Sequence, residues 1–324
     1  MKTKVVVIGG GNGSAIVINA LKKFVGQLEV AAVISMSDSG GSSGRLRQEF
    51  GGLPPGDILR AVLALSPYDY HWLRNIFYRT RFTGDGKLTG HNLGNLFLTL
   101  GSNYAKDFMS GVRALEEAVS AVGHAYPITL EPSDLCAELR NGMIVKTEAA
   151  LDDPTYDRTL KIKRVWLEPE VKIYSEAQNV IQEADYIFLS PGSLYTSVIA
   201  TLLPGGVKEA IDASKAKLIY VAGDAYEQNG ETGPERLSDF VSELESYLPR
   251  PIDTVIYHDL ELTPRQRQRF EERKWGAFAK NIENIKNQQI VGADFEKDEG
   301  GLSPEKLSKI LGDILDCHSE RSVA

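Results

Sequence analysis

The sequence predicts an α/β protein: a Rossmann-like doubly wound, mostly parallel sheet with a small β-hairpin as an insertion or edge. Three observations carry this. Short β-branched runs such as Lys4-Val5-Val6-Val7-Ile8 end in glycine, helical patterns alternate with them, and the first strand, turn, helix and second strand follow in βαβ order.

Taken in order, Lys4 to Ile8 reads as a buried parallel strand. Ala15, Ile16, Ile18, Ala20, Leu21 and Phe24 then give a helix apolar on most of its faces, and Glu29 to Met36 is the second strand. Ser37 to Gly56 holds six glycines with Pro54 and Pro55, so it reads as a long loop that ends where Asp57 caps a helix. A loop that long is functional or disordered, and the serines, arginines and aspartate between its glycines favour function. Helices are expected over about 57–65, 69–79, 91–100 and 105–122. The last sets Phe108, Met109, Val112, Leu115, Val119 and Val122 on one core-facing stripe. Asn141-Gly142 between apolar runs is a hairpin turn. Strands recur at about 163–168, 185–189, 217–222 and 253–257, with helices at about 175–184, 195–214 and 235–248. Pro264 to Lys274 reads as a charged surface helix, and Ser303-Pro304-Glu305 opens a final amphipathic one. The expected divisions are a ligand-binding domain over 1–260, a C-terminal extension over 261–318 packed on it, and a flexible tail over 319–324.

Composition narrows the function. The 324 residues, 42% hydrophobic, suffice for a buried core, while no stretch approaches the roughly 20 apolar residues of a membrane helix. Lys2 and Lys4 lead straight into a strand without a signal-peptide pattern, and Cys136 and Cys317 make no disulfide framework or metal spacing. Both features point to a reducing cytosol. A net charge of −8 argues against a broad nucleic-acid surface. Within that acidity Arg45, Arg47, Arg60, Arg74, Arg79, Arg81 and Lys87 form a local basic stretch, suited to a small anionic ligand or to a solvated face.

Four stretches carry candidate chemistry. Gly9-Gly10-Gly11-Asn12-Gly13-Ser14 joins a strand to a helix, where amides and helix dipole favour an anion, or where glycine serves close packing. It is neither a P-loop nor a complete dinucleotide fingerprint, since Ser14 takes the third glycine position. In the next stretch Asp38 suits a ribose hydroxyl or a divalent cation, Gly40, Gly41, Ser42 and Ser43 an anion nest, and Arg45 a phosphate; a plain linker is the alternative. Gly192, Ser193 and Thr196 repeat the strand–turn–helix design as a second anion site, or else cap a helix. His91 can serve as an acid, a base or a cap, with Asn92 and Asn95 on neighbouring faces of a first helical turn. No Ser-His-Asp, His-Glu-x-x-His or Cys-x-x-Cys arrangement appears.

Together these stretches resemble the signature blocks of the YvcK/CofD family. The likeness runs through Val7 to Gly13, Ser37 to Arg47, Pro54-Pro55-Gly56-Asp57-Ile58, His91 to Asn95 and Pro191 to Ser197, in the family's order. Arg164 to Pro169 and Gly230-Glu231-Thr232 extend it to about residue 260. The resemblance implies a nucleotide ligand held by these blocks, Pro55 and Asp57 included. The Ser-Ser-Gly-Arg-Leu-Arg, Pro-Pro-Gly-Asp-Ile and Gly-Ser-Leu-Tyr-Thr-Ser blocks are closer to the YvcK branch. That branch implies a cytosolic regulatory protein, linked to gluconeogenic carbon and cell shape, that binds UDP-sugars such as UDP-N-acetylglucosamine. The CofD branch implies a 2-phospho-L-lactate transferase acting on a deazaflavin with Mg2+, with Asp38 as metal ligand and candidate catalytic residue. The family usually shows two adjacent aspartates where this chain has Asp38 and Ser39, which weakens the transferase reading. Ala222 to Asn229 also replaces the family's Asn-containing segment. A nicotinamide dinucleotide binder would rest on fold analogy alone. The expected partners are a UDP-sugar or other nucleoside-diphosphate ligand and further copies of the chain in a homo-oligomer. Nucleic acid and membrane insertion are not expected.

Overall fold

The structure, a computed structural model, describes residues 1–223 and 225–317; the tail expected over 319–324 lies outside the described residues. β1 (Thr3–Gly9) passes through α1 (Gly11–Leu21) to β2 (Leu28–Ile34), which lies parallel to it with Val5 opposite Val30. There follow α2 (Gly41–Phe50), α3 (Gly56–Leu65), α4 (Tyr70–Arg74) with a π turn over 75–79, α5 (Leu93–Ala105) and α6 (Phe108–Ala118). β3 (His124–Pro127) then pairs with β2. A three-stranded antiparallel sheet of β4 (Asp134–Leu139), β5 (Ile144–Lys146) and β6 (Ile162–Glu168) contains the expected Asn-Gly hairpin, with α7 (Glu148–Asp152) inside it.

The chain returns through α8 (Ser175–Gln182) to β7 (Tyr186–Leu189), a π turn over 194–199, α9 (Ala200–Leu202), α10 (Val207–Ala213) and β8 (Lys217–Gly223). β9 (Ala225–Glu227), α11 (Leu237–Ser246), β10 (Thr254–His258), α12 (Pro264–Arg273), β11 (Trp275–Ala277), β12 (Gln289–Ala293) and α13 (Pro304–Leu315) complete it. The central sheet runs β12-β10-β8-β7-β1-β2-β3, every pair parallel. Val6 and Ile8 of β1 enter the core on one face, and Val5 and Val7 enter the core on the other. Burial on both faces is why the strand is continuously apolar rather than alternating. Strand order reverses between β1 and β7, so the carboxyl ends of these two strands form the topological switch point. Among the described residues no helix is long and apolar enough to cross a membrane.

Several expectations are corrected. Residues 41–50 are helical, not loop, because the breakers fall at the ends: Gly40 is the extended N-cap and Gly51 the left-handed C-cap at φ 66. The internal Gly44 is required, since a Cβ there would overlap the Ser39 carbonyl. Asp57 lies inside the first turn of α3 behind Pro55, and it pairs with Arg60 instead of capping. α6 ends at Ala118, so Val122 lies past it and is exposed. The expected helix over 195–214 is broken at Pro204-Gly205-Gly206, where Gly206 takes φ 100. Residues beyond 260 supply β12 to the central sheet, and α13 packs against α1.

Candidate functional site

The Gly9–Ser14 turn sits at the switch point. A Cβ on Gly13 would overlap the Pro191 carbonyl, one on Gly9 the Ser190 hydroxyl, and one on Gly11 the Arg60 guanidinium. Gly10 would bring a Cβ to 2.7 Å from Ser197 Oγ. These glycines therefore let two strand ends close on each other while α1 starts without a side-chain cap, although Asp57 Oδ2 lies close to its N-cap, 3.2 Å from where a Cβ on Gly10 would stand. Ser14 is fully buried, 3.3 Å from Ser190 Oγ, and belongs to this join. Asn12 is exposed at the turn, and its Oδ1 accepts from Arg74 Nη2 at 2.9 Å.

Cations gather on one side of the turn. The guanidinium carbons of Arg60, Arg74 and Arg81 lie 4.9, 5.7 and 5.4 Å from the Tyr78 ring centroid, a shared cation–π platform. Burial opposes the Arg60 charge, but Asp57, Tyr78 and Asp38 hold it on. The Nε atoms of Arg60 and Arg74 are buried without a hydrogen-bond partner. Arg45 is exposed and reaches over Gly90, whose absent side chain makes room 2.8 Å from Nη2. Arg47 plays a different part, tying α2 to the Ser133 carbonyl at 2.7 Å and to Asp134 at 3.0 Å.

Beneath Arg45 the structure assembles a buried polar group. Ser42 Oγ lies 2.9 Å from His91 Nδ1 and accepts from Asn95 Nδ2 at 3.0 Å. Asn92 is the N-cap of α5 rather than a first-turn residue, its Oδ1 accepting from the Asn95 amide at 2.7 Å. Burial, then Arg45 and Arg81, lowers the His91 pKa, so the imidazole is held neutral. Among the described residues no carboxylate is hydrogen-bonded to Ser42 or His91 to complete a triad.

Carboxyl groups gather next to Arg60. Asp38 accepts from the Gly40 amide at 3.0 Å, yet burial and then Asp57 raise its pKa. Gly56 leaves room for it: a Cβ there would stand 2.9 Å from Asp38 Oδ2. Glu148 accepts from the Ser39 amide at 3.1 Å, while Ser39 Oγ accepts from the Ala149 amide at 2.9 Å. Burial and then Asp38 push Glu148 up to about 8. As protein donors this set does not fit Mg2+. Asp57 is committed to Arg60, Ser39 to Ala149, and among the described residues no three His, Cys, Asp or Glu side chains are arranged to hold a metal ion.

The second turn is not an open anion site. The amides of Tyr195 and Thr196 donate to Glu231 at 3.0 and 2.9 Å, so an internal carboxylate already occupies it. Burial pushes Glu231 up to about 7 despite those bonds from Thr196 and Tyr195. Nothing local in the sequence announces this partnership, because the two segments meet only in the fold. Gly192 and Ser193 instead border a cavity of about 360 Å³ at the ends of β1, β7 and β8. Asn12 and Gly13 line it beside the first turn, with Tyr226 and Trp275 among its aromatic lining. Sequence reasoning singled out the Ala222 to Asn229 segment but assigned neither aromatic to the site, since β9 and β11, which carry them, are three residues each and pair across a long separation.

The raised carboxyls give a testable pH dependence. Between the ordinary value of 4.5 and about 8 the fold keeps the Glu148 proton that the unfolded chain has lost, and Glu231 does the same up to about 7. The native state then binds more protons, so stability falls as pH rises through this window. Melting temperature is expected to drop from about pH 5 to about pH 8, and Glu148→Gln to flatten that slope. An unchanged slope in the variant would show that Glu148 is ionised in the fold.

Comparison with known proteins bears on the family and the fold. The family model for 2-phospho-L-lactate transferase CofD matches residues 5–296. A putative gluconeogenesis factor of Thermoanaerobacterium thermosulfurigenes is 35% identical over 97% of this chain and 97% of its own length. The gluconeogenesis factor of Bacillus subtilis is 32% identical over 97% of this chain and 98% of its own. A crystal structure of a Bacillus halodurans protein superposes with a TM-score of 0.86 at 30% identity, covering 96% of this chain and 99% of that one. A switch-point site on a seven-stranded parallel sheet, a family model spanning nearly the whole chain and full-length relatives converge: the chain belongs to the CofD/YvcK family.

Proposed function

We propose that this chain is a gluconeogenesis factor-like protein that binds a nucleotide sugar, of the UDP-N-acetylglucosamine class, as a regulatory ligand in carbon metabolism and cell shape. The observation that carries the reading is the continuity between cavity and glycine turn, with Asn12 and Gly13 lining one end and Tyr226 and Trp275 also lining the cavity. Aromatic rings suit a base and ribose. The uncapped α1 N-terminus beside Arg74 suits a diphosphate, and Arg45, exposed over Gly90, is the further cation we assign to it. The amides of the second turn are closed by Glu231, which supports placing the phosphates at the first turn. The matching family model favours a second reading, a CofD-like 2-phospho-L-lactate transferase. The engaged Ser39 and the Asp57–Arg60 pair weigh against it.

Calorimetry with UDP-N-acetylglucosamine and UDP-glucose is expected to show saturable binding, with no product formed from an activated phospholactate donor and a deazaflavin in the presence of Mg2+. Arg45→Ala should weaken binding by about ten- to a hundredfold, since a charge-assisted hydrogen bond contributes roughly 1.5–3 kcal/mol. Arg45→Lys should recover only part of this, because a lysine lacks the bidentate fork. Arg267, whose exposed side chain donates to the Leu262 carbonyl, is the control, and Arg267→Ala should bind like the parent. Flat titrations with both UDP-sugars beside clear guanine-nucleotide binding would overturn the reading. Turnover abolished by Asp38→Asn would establish the transferase in its place.

A further inference from the structure

Ser42 Oγ beside His91 Nδ1 has the distance of a nucleophile and its base, but the hydrogen bonds around the pair give the imidazole another task. Asn95 Nδ2 lies 3.0 Å from Ser42 Oγ and 3.5 Å from Ser43 Oγ. Ser43 gives its proton to Asp38, so its oxygen meets Asn95 with a lone pair, and the amide atom facing it must be the nitrogen. An amide nitrogen only donates, so Ser42 accepts from it. The Ser42 proton then has one acceptor among its hydrogen bonds, His91 Nδ1 at 2.9 Å. A neutral ring that accepts at Nδ1 carries its proton at Nε2. That nitrogen makes no hydrogen bond among the described residues and is not sealed from solvent.

Two guanidinium groups converge on the residue before His91. Arg81 Nη1 donates to the Gly90 carbonyl at 3.2 Å, and Arg45 Nη2 comes within 2.8 Å of where a Gly90 Cβ would stand. We propose that His91 completes an oxyanion site with Arg45 and Arg81, as a neutral donor whose Nε2–H is held in place by Ser42 and Asn95 rather than as an acid or a base. This rests on the reading that Arg45 holds an anionic group of the ligand, and it says what that group is. Arginine side chains and an Nε2–H donate and cannot accept, so the group they share must be all acceptor, as a phosphate is. A neutral imidazole adds a hydrogen bond there without setting a third positive charge against two arginines, and both of them, after burial, oppose its protonation, with Glu49 acting the other way. Ser42, Asn95 and, through Asn95, Ser43 are positioning residues that fix the ring and do not touch the anion.

Long-range proton–nitrogen correlation spectra of the full chain with nitrogen-15 histidine test the tautomer without any ligand. The chain has 5 histidines, and His91→Gln identifies the His91 signal by its loss. Near neutral pH His91 should be neutral with its proton on Nε2, and Ser42→Ala should let the two tautomers mix while the other histidines keep their signals. Binding is read with inorganic pyrophosphate, so the outcome does not depend on which base or sugar the cavity takes. His91→Ala should weaken it about three- to tenfold, the range of one neutral hydrogen bond. His91→Gln offers an amide N–H near the place of Nε2 and should recover most of that loss. His91→Glu offers an acceptor and a negative charge, and should weaken binding about a hundredfold or more. An imidazolium, an Nδ1–H tautomer, pyrophosphate binding indifferent to all three His91 substitutions, or labelling of Ser42 by a fluorophosphonate would each overturn the proposal. Flat titrations with UDP-sugars beside the expected pyrophosphate results would sink the nucleotide-sugar reading and leave the oxyanion site standing.

Discussion

Gly13→Ala is expected to destabilise the protein by on the order of 3 kcal/mol and to abolish measurable nucleotide binding. Alanine would improve helix propensity by about 1 kcal/mol, so propensity alone predicts a gain. The contact decides otherwise. The added Cβ would overlap the Pro191 carbonyl, a backbone atom that cannot rotate away as the end of a flexible side chain can. To relieve it, the first and second turns must separate, which opens the cavity they share. Gly52→Ala is the matched control, with nothing near its added Cβ, and should lie within about 0.5 kcal/mol of the parent. Urea unfolding of both variants, followed by titration with UDP-N-acetylglucosamine, checks the claim. A Gly13→Ala protein as stable as the parent would show that the two turns do not meet as described.

Asp57→Ala should cost about 3–5 kcal/mol, the loss expected when one partner of a buried ion pair is removed. Most of this is the penalty of leaving Arg60 charged and unpaired among Gly11, Tyr78 and the base of α1. Two consequences separate that origin from a generic packing defect. Adding Arg60→Met should recover most of the lost stability, because the uncompensated charge is gone. Inorganic phosphate should raise the melting temperature of Asp57→Ala more than that of the parent, since the freed guanidinium then lies open to an anion beside the α1 N-terminus. If the double variant is no more stable than Asp57→Ala, the pair does not carry the energy assigned to it.

These two residues also show where the sequence could and could not be read. Gly13 was legible as a close-approach glycine because the strand before it and the helix after it are both local patterns. Its contact, Pro191, was not, since it follows a strand that becomes a neighbour only through sheet order. Asp57 looked like a helix cap by position, and Arg60 like one more member of a basic stretch. Spacing alone does not tell a capping aspartate from one that turns to a partner three residues on inside a buried turn. The helix over Gly41–Phe50 was hidden because glycine and serine lower local propensity, while their places at the caps and against Ser39 are set by packing.

By itself, then, the sequence determined what local chemistry controls: the alternating strands and helices, the parallel sheet that unbroken β-branched runs require, and the glycine turn that opens α1. Its motif blocks also carried the family. The tertiary structure decided which of those turns an internal carboxylate closes. Glu231 closes the second turn by reaching the amides of Tyr195 and Thr196 from another segment, Glu148 and Asp38 share one buried region, and three arginines share the Tyr78 ring. Charge, burial and hydrogen bonding act through space over a few ångströms, and the carboxylates that meet their partners at that range here lie dozens of positions from them along the chain.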